Sequence, residues 1–150
     1  MVTMVGNESD INGLVKNLIL LEYDAIAAYE SCIERLSDHS ISNQIGKFKD
    51  DHTEHLSVLK TISAEIGLEA PTEGDMKEYL TTGKIALADM FGDKAILKAM
   101  KTNEDDTVTA YERASRHSDA IPSSKAFFLK ALEDERRHRE WMETTAERMS

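Results

Sequence analysis

Six ionisable side chains fall where apolar ones should pack. Read at helical spacing, the residues from 14 to 29 run Leu14, Leu18, Glu22, Ala25, Tyr29, and those from 97 to 111 run Leu97, Met100, Glu104, Thr107, Tyr111. In each line a glutamate takes a leucine's place. Two further lines, Ile45, Phe48, His52, His55, Leu59 and Phe128, Ala131, Glu135, His138, Met142, each carry two polar groups one turn apart on the core face. A carboxylate buried there without a partner is strongly unfavourable, and a metal ion is the strongest compensator. Residues three apart project from one face, so Glu-x-x-His offers a carboxylate to bridge two ions and an imidazole to terminate one. One glutamate from each of two helices with such a pair from each of the other two is the donor set of dinuclear carboxylate centres in helical bundles.

A single Glu-x-x-His is a weak signal, and the shared register of all four lines is the stronger argument. The candidate metal ligands are therefore Glu22, His52, His55, Glu104, Glu135 and His138. The competing reading is a hydrogen-bonded polar core without metal. Asp51 and Asp134 each precede the first residue of a motif, and can accept a hydrogen bond from the distal N–H of a ligand histidine on a neighbouring helix; the alternative is two solvated positions. Tyr29 and Tyr111 lie two turns beyond the lone glutamates, placed to hydrogen-bond a ligand carboxylate or to stand beside the reacting centre. They are the candidate catalytic residues, against the simpler role of core tyrosines with any partner.

The elements that must position these residues are helices. Long stretches of helix formers are interrupted by only two prolines, and no period-two alternation is sustained. The spacing predicts helices over about 9–37, 40–66, 93–117 and 122–149, with Ser9 or Asp10 capping the first and Gly67 stopping the second. A very short turn at Asp38 to Ser42 joins the first two. Residues 68–92 carry Pro71, Gly74 and Gly83 and read as a crossover with short helical pieces around 77–80 and 84–91. The expectation is all-α: two hairpins joined by one long crossover into a four-helix bundle, a single domain over 1–150. The halves also resemble each other. At a shift of 82, LEYDAIAAYE at 21–30 overlies NEDDTVTAYE at 103–112, and at a shift of 83 Asp51 and His55 overlie Asp134 and His138. A duplicated hairpin explains both.

Composition narrows the partners. Lys+Arg 18 against Asp+Glu 28 gives a net charge of −10, and no basic patch is present, so nucleic acid and anionic membrane surfaces are disfavoured. The apolar runs are far short of the roughly 20 residues of a membrane span. Hydrophobic residues, 41% of the chain, suffice for one core. A lone cysteine, Cys32, excludes an internal disulfide or a four-cysteine site, and no secretory leader opens the sequence, so a cytoplasmic address is expected. Cys32, Trp141 and the methionines read as core filling, Glu30 and Glu112 as surface residues. His39 and His117, near expected helix ends, read as partners of C-terminal helix dipoles.

Taken together, these residues resemble the ferritin-like superfamily, and most of all its bacterioferritin and rubrerythrin branch. The resemblance is carried by Glu22 followed seven residues later by Tyr29, and by LEDERRHREWMET at 132–144. It implies an iron protein, with two ions and manganese or zinc as alternatives, that oxidises Fe(II) or reduces peroxide or O2. One departure stands out: where the family has glutamate, this chain has His52. Imidazole does not bridge two ions as a carboxylate does, so a modified dinuclear site, a single-metal site and a lost site all stay open. The methionine that binds haem in bacterioferritins is Thr53 here, so haem is not expected, and without a rubredoxin-like module electrons would come from an external, unknown donor. The runner-up is a non-catalytic bundle acting as an oligomerisation or stress-related interaction module. A homodimer or larger homo-oligomer is the base-rate expectation.

Overall fold

The computed structural model describes residues 3–79 and 82–149, and its order is α1 (Ile11–Arg35), α2 (His39–Glu65), α3 (Glu73–Tyr79), α4 (Thr82–Leu87), α5 (Asp93–Ser115) and α6 (Pro122–Glu147). Among the described residues there is no strand. The helices α1 and α2 form one antiparallel hairpin and α5 and α6 the other, while α3 and α4 lie against α1 along the crossover.

Caps decide the boundaries. Asp10, not Ser9, caps α1, its carboxylate accepting from the Gly13 N–H at 2.7 Å. The turn before α2 is tighter than its sequence suggests because Asp38 caps at once, accepting from the N–H groups of Ser40 and Ile41 at 2.9 and 3.2 Å. His39 is thus the first residue of α2 and not a partner of a helix C-terminus. The Asp93 carboxylate accepts from the N–H groups of Ser37 and Asp38 at 2.8 and 3.0 Å, and so pins this turn to the start of α5. At the other end of α2, Gly67 takes a positive φ of 72°, its N–H bonding Ala64 O at 3.2 Å and the Leu68 N–H bonding Ser63 O at 2.9 Å. This is the paired C-terminal motif that glycine permits.

The crossover helices are displaced from their expected places. Reciprocal bonds between Thr72 and Asp75 start α3 early, Thr72 N–H to Asp75 Oδ2 at 2.7 Å and Asp75 N–H to Thr72 Oγ1 at 3.2 Å. Leu80, the expected end of the first piece, lies outside the described residues. α4 stops at Leu87, well before Phe91. Buried Met76 and Leu87 anchor the crossover on the bundle. His117 follows α5, but its Nε2 donates to the Glu8 carbonyl at 2.8 Å and its Nδ1 accepts from the Asp119 N–H at 3.1 Å. It ties the N-terminal arm to the turn before α6 and does not serve the α5 carbonyls.

The core is split into two apolar clusters. One gathers Leu14, Leu18, Leu59, Val108, Tyr111 and Phe128, and the other Tyr29, Cys32, Phe48, Leu97, Met100 and Met142. Between them, in mid-bundle, lies a layer of buried polar residues.

Candidate metal centre

That layer is built from one segment of each long helix. Glu22 comes from α1, His52 and His55 from α2, Glu104 from α5, and Glu135 and His138 from α6. All six residues are at most 1% exposed. They form two overlapping groups whose ligand atoms lie within 4.8 Å of one another, Glu22, His52, His55 and Glu135 in one, and His52, Glu104, Glu135 and His138 in the other. His52 and Glu135 belong to both. The structure therefore brings together every residue the core lines single out as a ligand.

The contacts cross between the halves in matched pairs. The Tyr29 hydroxyl donates to Glu104 Oε1 at 2.5 Å, and the Tyr111 hydroxyl donates to Glu22 Oε1 at 2.9 Å. His138 Nε2 stands 2.8 Å from Asp51 Oδ2, and His55 Nε2 stands 2.8 Å from Asp134 Oδ2. Each aspartate thus holds the outer nitrogen of a histidine on the opposite helix and leaves Nδ1 facing the centre, the arrangement that fixes a ligand imidazole's orientation. Four residues of the first hairpin and their four duplicates make the same contacts. Glu30 and Glu112 pair with Lys49 and Arg136 on the surface, away from the centre.

The symmetry breaks at His52, which overlies Glu135 in the repeat. His52 Nδ1 is 2.9 Å from Glu22 Oε2, and its Nε2 is 3.3 Å from Glu104 Oε1 and 3.4 Å from Glu135 Oε2. A second break lies at Thr107, which overlies Ala25. Its hydroxyl is 2.8 Å from both Glu104 Oε2 and Glu135 Oε2. Thr107 stood in the apolar line of its helix, and only its mismatch with Ala25 could have singled it out.

Without metal, charge in this layer is balanced by protons. Burial lowers the His52 pKa, but the charges of Glu135, Glu22 and Glu104 outweigh it and raise it well above the usual range. Burial likewise works against His55, while Asp134, Glu135 and Glu22 hold it up to about 11. Among the carboxyls, burial and the neighbouring Glu135 charge push Glu104 up to about 7. Glu22 and Glu135 are held below their ordinary value, burial being outweighed in each by the charge of His52. A proton on Glu104 lets its carboxyl donate to Thr107 and Thr107 donate to Glu135, which satisfies a hydroxyl that has only one proton.

Among the described residues, two buried atoms have no hydrogen-bond partner, His55 Nδ1 and Glu135 Oε1. They stand 3.3 Å apart without hydrogen-bond geometry. Buried polar atoms are rarely left in this state. Once His55 gives up the Nδ1 proton, both offer lone pairs of types that bind transition metals, and they belong to the same group, so the residues fit a metal ion.

The family described as "Domain of unknown function (DUF2383)" matches residues 11–117, well over half of the chain. The chain belongs to the DUF2383 family. The match runs from α1 through α5, and α6, which supplies Glu135 and His138 to this DUF2383 protein, follows it. No curated protein matches the sequence. Among solved structures, a conserved hypothetical protein, rv2844, from Mycobacterium tuberculosis is similar with a TM-score of 0.78 at 14% identity, over 93% of this chain and 92% of that one. Dps from Thermosynechococcus elongatus is similar with a TM-score of 0.65 at 11% identity, over 91% of this chain and 94% of that one. At such identities the likeness shows the fold alone: the DUF2383 chain is an all-α, ferritin-like bundle. Among the described residues no helix is long and apolar enough to cross a membrane.

Proposed function

We propose that this chain binds two transition-metal ions in its mid-bundle layer, iron above all, and uses them to oxidise Fe(II) or to reduce O2 or peroxide. The observation that carries the reading is the pair of overlapping donor groups, one of which contains two buried atoms with no partner. These two atoms meet as an ion pair at 3.3 Å without hydrogen-bond geometry, where a core closed by its own hydrogen bonds would align them. Three carboxylates and three imidazoles suit Fe(II), Mn(II) or Zn(II), and bound iron supplies one-electron redox chemistry. The chain's own residues do the rest. Asp51 and Asp134 orient the two outer histidines, and Tyr29 and Tyr111 steady the two lone glutamates. The closed apolar clusters on either side keep water from the centre. This reading includes an external electron donor.

One observation favours a second reading, a non-catalytic bundle holding one ion or none. His52 reaches Glu22 with one nitrogen and Glu104 with the other, and so links the two halves as an internal cation where a bridging carboxylate would bind metal. An anaerobic Fe(II) titration of metal-free protein, followed by O2, separates the two. Two irons per chain with rapid growth of ferric absorption support the first. No iron taken up, or one ion that O2 does not oxidise, moves the conclusion to the second.

A further inference from the structure

The six-residue layer is sealed, yet two polar paths lead from it to solvent across a single seam. Asp51 on α2 and Asp134 on α6 face each other where those helices touch lightly. Their side chains are 27% and 13% exposed, while the His138 and His55 side chains behind them are 0% and 1% exposed. Each aspartate meets a histidine on its inner side and a cation on its outer side. Arg137 Nη2 donates to Asp51 Oδ2 at 2.8 Å and to Asp134 Oδ1 at 3.2 Å, and Lys130 Nζ donates to Asp134 Oδ2 at 2.8 Å. Arg137 itself is half exposed and lies over the Phe48 ring, 5.7 Å from its centroid. Glu54, near enough to act on Lys130, adds a third carboxylate to the same surface.

We propose that the α2–α6 seam is the port by which divalent cations reach the centre, and that Arg137 is its gate. The proposal rests on the metal-binding reading above. The guanidinium occupies the carboxylate oxygens that an incoming cation would meet first, and clamps the two walls of the port together. Arg137 is the exposed partner in both pairs and holds Asp134 only at 3.2 Å, so the gate opens by the swing of one surface side chain and needs no unfolding. The repeat supports a dedicated role: at the shift of 83, Arg137 overlies Glu54, so the gate is an addition to one wall only. With Arg137 swung away, Asp51, Glu54 and Asp134 outnumber Lys130 and draw a cation inward, where the histidines and Glu135 receive it.

A purely positioning role for Arg137 predicts the opposite. If its function is to hold Asp51 and Asp134, and through them the imidazoles, its removal weakens metal binding. If it is a gate, its removal speeds uptake and leaves the amount bound unchanged. Stopped-flow mixing of metal-free protein with Co(II) distinguishes them, followed by quenching of the single tryptophan, Trp141, which lies 5.4 Å from Phe48, itself 4.3 Å from His138. Arg136→Gln is the control, since it removes the same charge from a pair with Glu112 on another face. Arg137→Gln is expected to take up Co(II) about tenfold faster or more, with unaltered stoichiometry and affinity, Arg137→Lys to fall between it and wild type, and Arg136→Gln to match wild type. Equal rates in wild type and Arg137→Gln, equal acceleration by both glutamine variants, or weakened equilibrium binding would each overturn the gate. A wild-type protein that takes up no Co(II) at equilibrium would instead overturn the metal reading beneath it.

Discussion

Replacing His52 with glutamate tests most directly how the buried layer is balanced. His52 is fully buried, and its nitrogens lie 2.9 Å from Glu22, 3.3 Å from Glu104 and 3.4 Å from Glu135. It is a single cation in reach of all three carboxylates. The substitution removes that cation and adds a fourth carboxylate to the layer. Removing one partner from a buried ion pair costs about 3–5 kcal/mol. For a chain of this length each kcal/mol moves the midpoint by about 3 °C, so the metal-free variant should melt roughly 10–15 °C below metal-free wild type. Metal reverses the sign. A carboxylate can bridge two ions where imidazole does not, so saturating Zn(II) should raise the melting temperature of His52→Glu by more than it raises that of wild type. Calorimetry of both proteins at pH 8, with chelator and with Zn(II), reads both effects; the alkaline pH prevents the extra carboxyl from being neutralised cheaply by a proton. A chelated variant melting within about 2 °C of chelated wild type would refute the account of His52 as the balancing cation.

Three further predictions concern the scaffold. Asp38 caps α2, and its carboxyl is held low by the Ser40 hydroxyl and by backbone N–H bonds, so its contribution is present above the ordinary aspartate range and is lost as pH falls through it. Asp38→Ala should therefore lower the melting temperature at pH 7 and converge on wild type as pH falls through the acid range, followed by circular dichroism. Burial, with the charge of Asp93 second, pushes the Cys32 thiol up to about 12, so a disulfide reagent at pH 8 should leave the native protein unmodified and label it fully in guanidinium; native labelling within minutes would contradict the burial. Gly67 sits at a φ of 72° with open space where a Cβ would go, so Gly67→Ala should cost about 1–2 kcal/mol through backbone strain alone, read by urea unfolding.

The helices and the convergence of the layer were legible because each rests on a local signal. A glutamate at the leucine position of an otherwise apolar line reports burial without any long-range knowledge, and the same interruption in four lines reports a common depth. The repeat marked the tyrosines and aspartates as equivalent positions, but that they pair across the halves, Tyr29 with Glu104 and Asp51 with His138, is visible only in the fold. What was hidden is what depends on neighbours distant in sequence. The crossover helices were displaced because Thr72 and Asp75 start a helix earlier than the apolar pattern does. His39 changed helices because a cap at Asp38 starts α2 at the very next residue. The double contact of Thr107, at 2.8 Å to two carboxylates, requires α6 to be in place. Nor does sequence show that Arg137 reaches across to α2, since its register marks it only as a residue off the core line.

The broken symmetry carries a last consequence that can be measured. Glu22 belongs to one donor group, Glu104 to the other, and Glu135 to both. In the bacterioferritin and rubrerythrin pattern that the sequence resembles, a second carboxylate shares the bridging role, but here His52 takes that place and leaves Glu135 as the one carboxylate common to the two groups. Its loss should be felt at both positions, the loss of Glu22 at one. Zn(II) binding to metal-free protein, followed by isothermal calorimetry, should therefore fall from two ions to one in Glu22→Gln and fall to none, or to weak binding reduced at least a hundredfold, in Glu135→Gln, about 2.7 kcal/mol or more. Thr107 sharpens the test, because its hydroxyl binds Glu104 and Glu135 while Ala25 on the opposite side has none to offer. The two positions should then differ in affinity, giving two resolved steps in wild type. Thr107→Ala, which removes that difference and leaves every ligand in place, should bring the steps closer together. Equal losses in Glu22→Gln and Glu135→Gln would refute the sharing, and a single unresolved step that Thr107→Ala leaves unchanged would refute the asymmetry.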